Sequence, residues 1–148
     1  MQQAVWEEQP DRIIHLGDCE SDAVRLHAKF PEIPLDGVPG NCDCSIEEPV
    51  RVLIIEGVQV MICHGHTYHV KMQKYSLECA AREKGAQVAL FGHTHMVFSD
   101  WHNGVRMYNP GSIGAPLMGN PPSYGVLTID GDCTDPLKAI HMETKYFE

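Results

Sequence analysis

Apolar positions along the chain follow two periods. The run RIIHL (residues 12–16) is short and β-branched and stops at Gly17-Asp18, the pattern of a strand that delivers a carboxylate to its C-terminal end. In SDAVRLHAKF (residues 21–30) the spacing lengthens to that of a helix, with Ser21 as N-cap and Ala23, Leu26, His27 and Phe30 along one face. Pro31, Pro34, Pro39 and Pro49 then break the chain into a loop with at most a short strand over residues 35–38. RVLIIEGVQVMIC predicts strands over 51–55 and 58–63, joined as a hairpin at Glu56-Gly57, and the second ends at His64. QKYSLECAAREKG is rich in helix formers and carries Gly85 where a C-cap belongs. VALF (88–91) reads as a strand ending at Gly92-His93. MVFSD and VRMYN flank His102-Asn103-Gly104, a strong hairpin signal, and YGVLTI and KAIHME form a last antiparallel pair around Gly131.

Strands alternating with helices predict an α/β chain, and a length of 148 residues predicts one domain spanning 1–148. Asp18, Asn41, His64 and the pair His93/His95 each follow a predicted strand and a small residue or sharp turn. Groups at the carboxyl ends of strands in an α/β sheet face a common crevice, so these ends can supply one site. Five of the nine histidines, His64, His66, His69, His93 and His95, fall within one short stretch. Residues i and i+2 of an extended segment share a face, so His93 and His95 can both reach inward. Carboxylate, amide oxygen and imidazole together suit borderline divalent ions such as manganese, zinc, iron or nickel. Each feature alone has a plainer explanation: Asp18 as a helix N-cap, Asn41 as a turn residue, His-x-His as two solvated side chains on the surface. Tyr68, His69 and His102 are read as ordinary polar residues near the rim.

The net charge of -9 and the lack of any lysine or arginine block argue against a nucleic-acid partner. No apolar run approaches the roughly 20 residues that span a bilayer, and MQQAVWEEQPDR has no signal-peptide pattern. The expectation is a cytoplasmic protein with no membrane partner. Its six cysteines are then reduced and mostly buried. Cys42-x-Cys44 lies outside the usual two-to-four-residue spacing of zinc cysteines, which disfavours a structural Cys/His zinc protein.

HLGD, GNCD, ICHGH, FGHTH and NPGS, in this order, resemble the calcineurin-like metallophosphoesterase superfamily, specifically its small single-domain phosphodiesterase branch. The resemblance runs from about Arg12 to the C-terminus and includes the tail GNPPSYGVLTID. It implies two packed mixed β-sheets with helices outside, a four-layer sandwich whose loops hold two divalent metals. Asp18 would bridge both ions; Asn41, His64 and His93 would complete the second ion's protein shell; His95 would bind the first. Two such ions, about 3.5–4 Å apart, lower the pKa of a bridging water and stabilise the attacking and leaving oxygens of an in-line displacement at phosphorus. The implied chemistry is hydrolysis of a small phosphoester by a metal-bound hydroxide, with Asp18, Asn41 and His64 as the catalytic shell.

Two departures from the family pattern change this expectation. Many relatives have a histidine after the asparagine that can serve as general acid; Cys42 occupies that position here. Protonation of the leaving group then falls to another residue or to water, which favours good leaving groups. No Asp-x-His lies upstream of Asp18, so the chain reads as starting inside the family's first helix and lacking its first strand. The first ion would keep only Asp18 and His95, and one ion instead of two is expected. The slot left by a central strand predicts a homo-oligomer or low stability. A second function class stays open: some members of this fold, including a subunit of the retromer coat, are non-catalytic protein-binding scaffolds.

Overall fold

A computed structural model describes residues 1–147. Its centre is a five-stranded mixed sheet in the order β3-β4-β5-β7-β6, made of β3 (Val50–Ile55), β4 (Val58–Cys63), β5 (Val88–Leu90), β6 (Val97–His102) and β7 (Val105–Pro110). Two hairpins build most of it. Glu56 and Gly57, at φ 47° and 78°, turn β3 into β4, and Asn103 and Gly104, at φ 48° and 83°, turn β6 into β7. Two successive positive φ values match the right-handed twist of the flanking strands, which is why Gly57 and the pair Asn103-Gly104 sit there, while Glu56 takes a conformation that few non-glycine residues adopt. Helix α3 (Tyr75–Glu83) carries the chain from β4 to β5, which runs parallel to β4 and β7. Gly85 ends this helix at φ 69°, as its position predicted.

Successive side chains of β4 leave the sheet on opposite faces. Met61 and Cys63 join Leu77 and Ala81 of α3, with Phe91 and Met107, in one core. Val60 and Ile62 face a second core shared with Val88, Leu90 and Tyr108. That face is covered by two separate ribbons. One is the parallel pair β1 (Ile13–His15) and β2 (Leu35–Gly37); the other is the antiparallel pair β8 (Ser123–Ile129) and β9 (Ile140–Tyr146). Helices α1 (Gln2–Glu8) and α2 (Glu20–Lys29) pack Val5, Leu26 and Phe30 on the outer face of Ile13 and Leu35. The layers run helix, sheet, ribbons, helices. The second layer of the expected sandwich is therefore present as two ribbons.

Local expectations shift in several places. Helix α2 starts at Glu20, with Cys19 as N-cap in left-handed conformation, so Ser21 lies inside the first turn. Its leading donor, Glu20 N–H, is taken by Asp43 Oδ1 at 3.0 Å, a partner remote in sequence that no local pattern reveals. Ala23, Leu26 and Phe30 are buried as the periodicity requires, while His27 is exposed. Lys138 and Ala139 belong to a short helix, α4 (Pro136–Ala139), with proline in its first turn and Asp135 Oδ1 accepting Leu137 N–H at 3.0 Å. All six cysteines are free, and only Cys63 is buried; Cys19, Cys42 and Cys44 are exposed. Among the described residues no helix is long and apolar enough to cross a membrane.

Candidate metal centre

Parallel β4 and β5 end side by side, and Gly92 N–H donates to the His64 carbonyl at 3.0 Å across their ends. The β1-β2 ribbon ends at the same edge. Gly17, Asp18 and Cys19 follow β1 with φ values of 97°, 58° and 57°, and this tight reversal turns the Asp18 carboxylate back toward the sheet. A Cβ on Gly17 would stand 2.7 Å from Gly40 N and 2.8 Å from His64 Nδ1; a Cβ on Gly40 would overlap the Asp18 carboxylate. Only glycine permits the two ribbon loops to approach this closely. Asp43 clamps them, its carboxylate accepting Gly40 N–H at 2.8 Å as well as Glu20 N–H. Burial pushes the Asp43 carboxyl up, but the backbone N–H groups of Gly40, Glu20 and Asp18 outweigh it and hold the group ionised, below the usual range.

His64 is the hub of the centre. It is 3% exposed, and its Nδ1–H donates to the Leu16 carbonyl at 2.7 Å. Burial lowers its pKa, against the opposing pull of that hydrogen bond and of Asp18, so the ring is neutral at pH 7. Its Nε2 then presents a lone pair, facing Asn41 Oδ1 at 3.1 Å and Asp18 Oδ2 at 3.3 Å. Asn41 turns its Nδ2 toward Cys42 Sγ at 3.6 Å, and Asp18 Oδ1 accepts Cys42 N–H at 3.0 Å. His93 Nδ1 stands 3.2 Å from His64 Nε2. Its pKa is pushed down to about 4 by burial, with the charges of Lys71, His64 and His66 adding to the effect.

Asp18, Asn41, His64 and His93 are thus brought together, whereas His95 is held by a different partner. Its Nδ1–H donates to the Ala115 carbonyl at 2.6 Å, which leaves Nε2 as its free lone pair. His93 and His95 both take positive φ, 65° and 56°, a conformation that non-glycine residues seldom adopt. Asn109, 0% exposed, holds that loop: its Nδ2 donates to the Gly92 carbonyl at 2.8 Å and to Thr94 Oγ1 at 3.0 Å, while Oδ1 accepts Gly111 N–H at 3.0 Å. Asp18 does not cap α2, since Cys19 occupies the cap position.

The donor chemistry fits a cation. Around His64 Nε2 stand a carboxylate oxygen, an amide oxygen and a second imidazole nitrogen, and only His93 Nδ1 can carry a proton among the four. Three electron-rich atoms facing one another without a proton repel, and a divalent ion is what relieves that repulsion. Ligands at about 2.0–2.2 Å from one ion, at angles of about 90–109°, stand roughly 2.9–3.5 Å apart, and the separations from Nε2 of 3.1–3.3 Å fall in that range. As they stand, no three His, Cys, Asp or Glu side chains among the described residues are arranged to hold an ion. The donors meet pairwise at His64 Nε2, and the Asn41 amide supplies the fourth. Cys42 adds no thiolate, because the neighbouring Asp18 charge holds its thiol above its ordinary pKa.

A sequence model of the calcineurin-like phosphoesterase superfamily domain matches residues 2–132 of this chain. The chain belongs to that superfamily. The Bacillus subtilis protein named "Probable metallophosphoesterase YsnB" is 34% identical over 128 residues, covering 85% of this chain and 73% of the relative. Phosphodiesterase YfcE of Escherichia coli is 28% identical over 102 residues, 63% of this chain and 52% of the relative. Among solved structures, Vps29 of Entamoeba histolytica complexed with zinc superposes with a TM-score of 0.69 at 20% identity, covering all of this chain and 90% of that one. Membership makes the chain a phosphoesterase hydrolase, of a family that uses divalent metal ions and small phosphoester substrates.

Three residues beside the centre escape a reading of strand ends. Asp43 and Asn109 are visible only as members of GNCD and NPGS, because their work is to clamp loops distant in sequence. His66 places its ring 5.3 Å from that of His64 and 6.0 Å from that of His93, centroid to centroid. The density of histidines signals it, but its inward placement depends on the turn after Gly65.

Proposed function

We propose that this chain is a metal-dependent phosphodiesterase acting on a small phosphoester, with Asp18, Asn41, His64 and His93 holding a divalent ion. The observation that carries this reading is the set of proton-poor donors around His64 Nε2. These four residues would hold the ion, which when bound would supply a water of lowered pKa and Lewis-acid stabilisation of charge on a phosphoryl group. The Leu16 carbonyl holds His64 in the tautomer that leaves Nε2 free, as outer partners of metal-bound histidines do. Asn41 and Asp18 are held against it by the glycine contact and by Asp43. Asp18 and His95, the latter through Nε2, are all that remains for the first ion, whose site is then weak or empty. Manganese, zinc, iron and nickel all suit this donor set. The thiol at Cys42 replaces the imidazole that would protonate a leaving group, which points to substrates whose leaving group departs unaided.

The test is hydrolysis of bis(p-nitrophenyl) phosphate by chelated protein reloaded with manganese. We expect turnover that needs the ion and falls at least 100-fold in His64→Ala. Turnover unchanged by chelation or by that substitution sinks the reading.

We read residues 1–148 as one domain, because two of its cores share the faces of one central sheet and the third packs on the ribbon that covers it. Six free thiols, three of them exposed, suit a reducing cytoplasm. The charge balance gives no footing to nucleic acid. Ile14 of β1, Leu16 just after it, and Leu127 and Ile129 of β8 pack on the second core yet stay only half-buried, which supports self-association through that layer. Light scattering should report a mass above 16.5 kDa that falls on dilution; a monomer at all concentrations would refute it.

A further inference from the structure

His66 has no task in the centre described above. It opens a 3-10 turn (His66–Tyr68) directly after Gly65, whose φ of 106° folds the chain back over the end of β4. A side chain at Gly65 would press on Val70 Cγ2 at 2.8 Å, and Val70 N–H donates back to the Gly65 carbonyl at 3.4 Å. Backbone and packing therefore set the place of the His66 ring, and no hydrogen bond holds its Nδ1. That atom is buried and has no partner, the one such side-chain nitrogen or oxygen among the described residues.

Its surroundings give it a use. The His64 and His93 centroids are 5.0 Å apart, and His66 lies 5.3 and 6.0 Å from them. A point equidistant from the three lies about 3.2 Å from each, the distance from a ring centroid to an ion bound at roughly 2.0–2.1 Å from the ring nitrogen. The rings are mutually tilted by 54–67°, so no pair stacks face to face across that point.

We infer that His66 is the third imidazole of the centre, giving a ring nitrogen to the ion held by Asp18, Asn41, His64 and His93. This rests on the reading of those four residues as ion ligands. Nothing bonded to Nδ1 holds the His66 ring in its present orientation. Three imidazoles with one carboxylate and one amide favour a nitrogen-preferring divalent ion such as zinc, nickel or iron over magnesium or calcium.

The direct test uses the unaltered chain, labelled with nitrogen-15, chelated and titrated with zinc while long-range proton–nitrogen spectra follow each imidazole. The expected result is that ring nitrogens of His64, His66 and His93 move together and saturate with the first equivalent. Movement of His64 and His93 with His66 unchanged overturns the inference and leaves the centre intact. If no imidazole moves, the four-ligand reading itself has failed. A second measurement loads cobalt into wild type and His66→Ala. Loss of a ligand should change the visible absorption and weaken binding by at least the roughly 10–100-fold that losing an outer-shell partner brings. Identical spectra and affinity overturn the inference.

Discussion

Gly40 shows how narrow the tolerance is at single positions. It sits between Pro39 and Asn41, and its hydrogen faces the Asp18 carboxylate where a methyl group would overlap it. Gly40→Ala must therefore push apart the two loops that carry Asp18 and Asn41. Overpacking of this kind costs about 1–3 kcal/mol, and with the proposed ligand set the displacement of Asp18 and Asn41 should weaken zinc binding by an order of magnitude or more. Gly57→Ala is the informative control. Gly57 has φ 78° and nothing within 4 Å of an added Cβ, so it should lose only the roughly 1–2 kcal/mol of a left-handed backbone and leave zinc affinity unchanged. Urea melts and calorimetric zinc titrations of both variants check this; equal losses of affinity would show that the Gly40–Asp18 contact is not what positions the site.

Between elements, α3 is tied to the β6-β7 hairpin by a buried carboxylate. Glu78 is 5% exposed, its Oε1 accepts Asn103 Nδ2 at 2.5 Å, and His102 Nδ1 and Arg82 both lie 3.9 Å from its oxygens. Glu78→Ala removes this hydrogen bond, with water taking its place at the exposed Asn103 amide, and should cost about 0.5–1.5 kcal/mol. Glu78→Gln keeps an acceptor for Asn103 and should recover most of that loss, as read from urea midpoints. A glutamine variant as unstable as the alanine would mean that charge, not the hydrogen bond, makes the tie. The pair Glu78 and Asn103 also shows where sequence stops being informative. The Asn-Gly turn and the helix are each legible from local pattern, yet nothing local says that they touch. The same holds at the centre. Asp18, Asn41, His64 and His93 stand out because each follows a strand, whereas the start of α2 at Glu20 and the loop clamp at Asn109 depend on partners 15 to 23 residues away. By pattern alone Lys138 and Ala139 read as the start of β9, but Pro136 and the Asp135 cap place them in a helix. His66 was one histidine among five until the turn at Gly65 gave its ring a place.

Across the whole molecule, the centre joins two layers that differ in how well they are sealed. Val60, Met61 and Ile62 of β4 and Val88 and Ala89 of β5 are 0% exposed, while Ile13, Ile14 and His15 of β1 are all partly open. Asp18 and Asn41 come from the ends of the open β1-β2 ribbon, and His64 and His93 from the ends of the sealed sheet. An ion held by all four is a cross-link between the layers, and only the folded state presents it. At 100 times its dissociation constant such an ion adds about 2.7 kcal/mol of stability. For a chain of this size that raises the melting temperature by about 6–10 °C. The gain should be local. Zinc should slow amide hydrogen exchange in β1, β2 and the loops after them, while β4 and β5, already protected by packing on both faces, change little. Melting curves and exchange rates of chelated and zinc-loaded protein test both halves of the prediction. A melting temperature indifferent to zinc, or protection spread evenly over both layers, would show that the ion does not bridge ribbon and sheet.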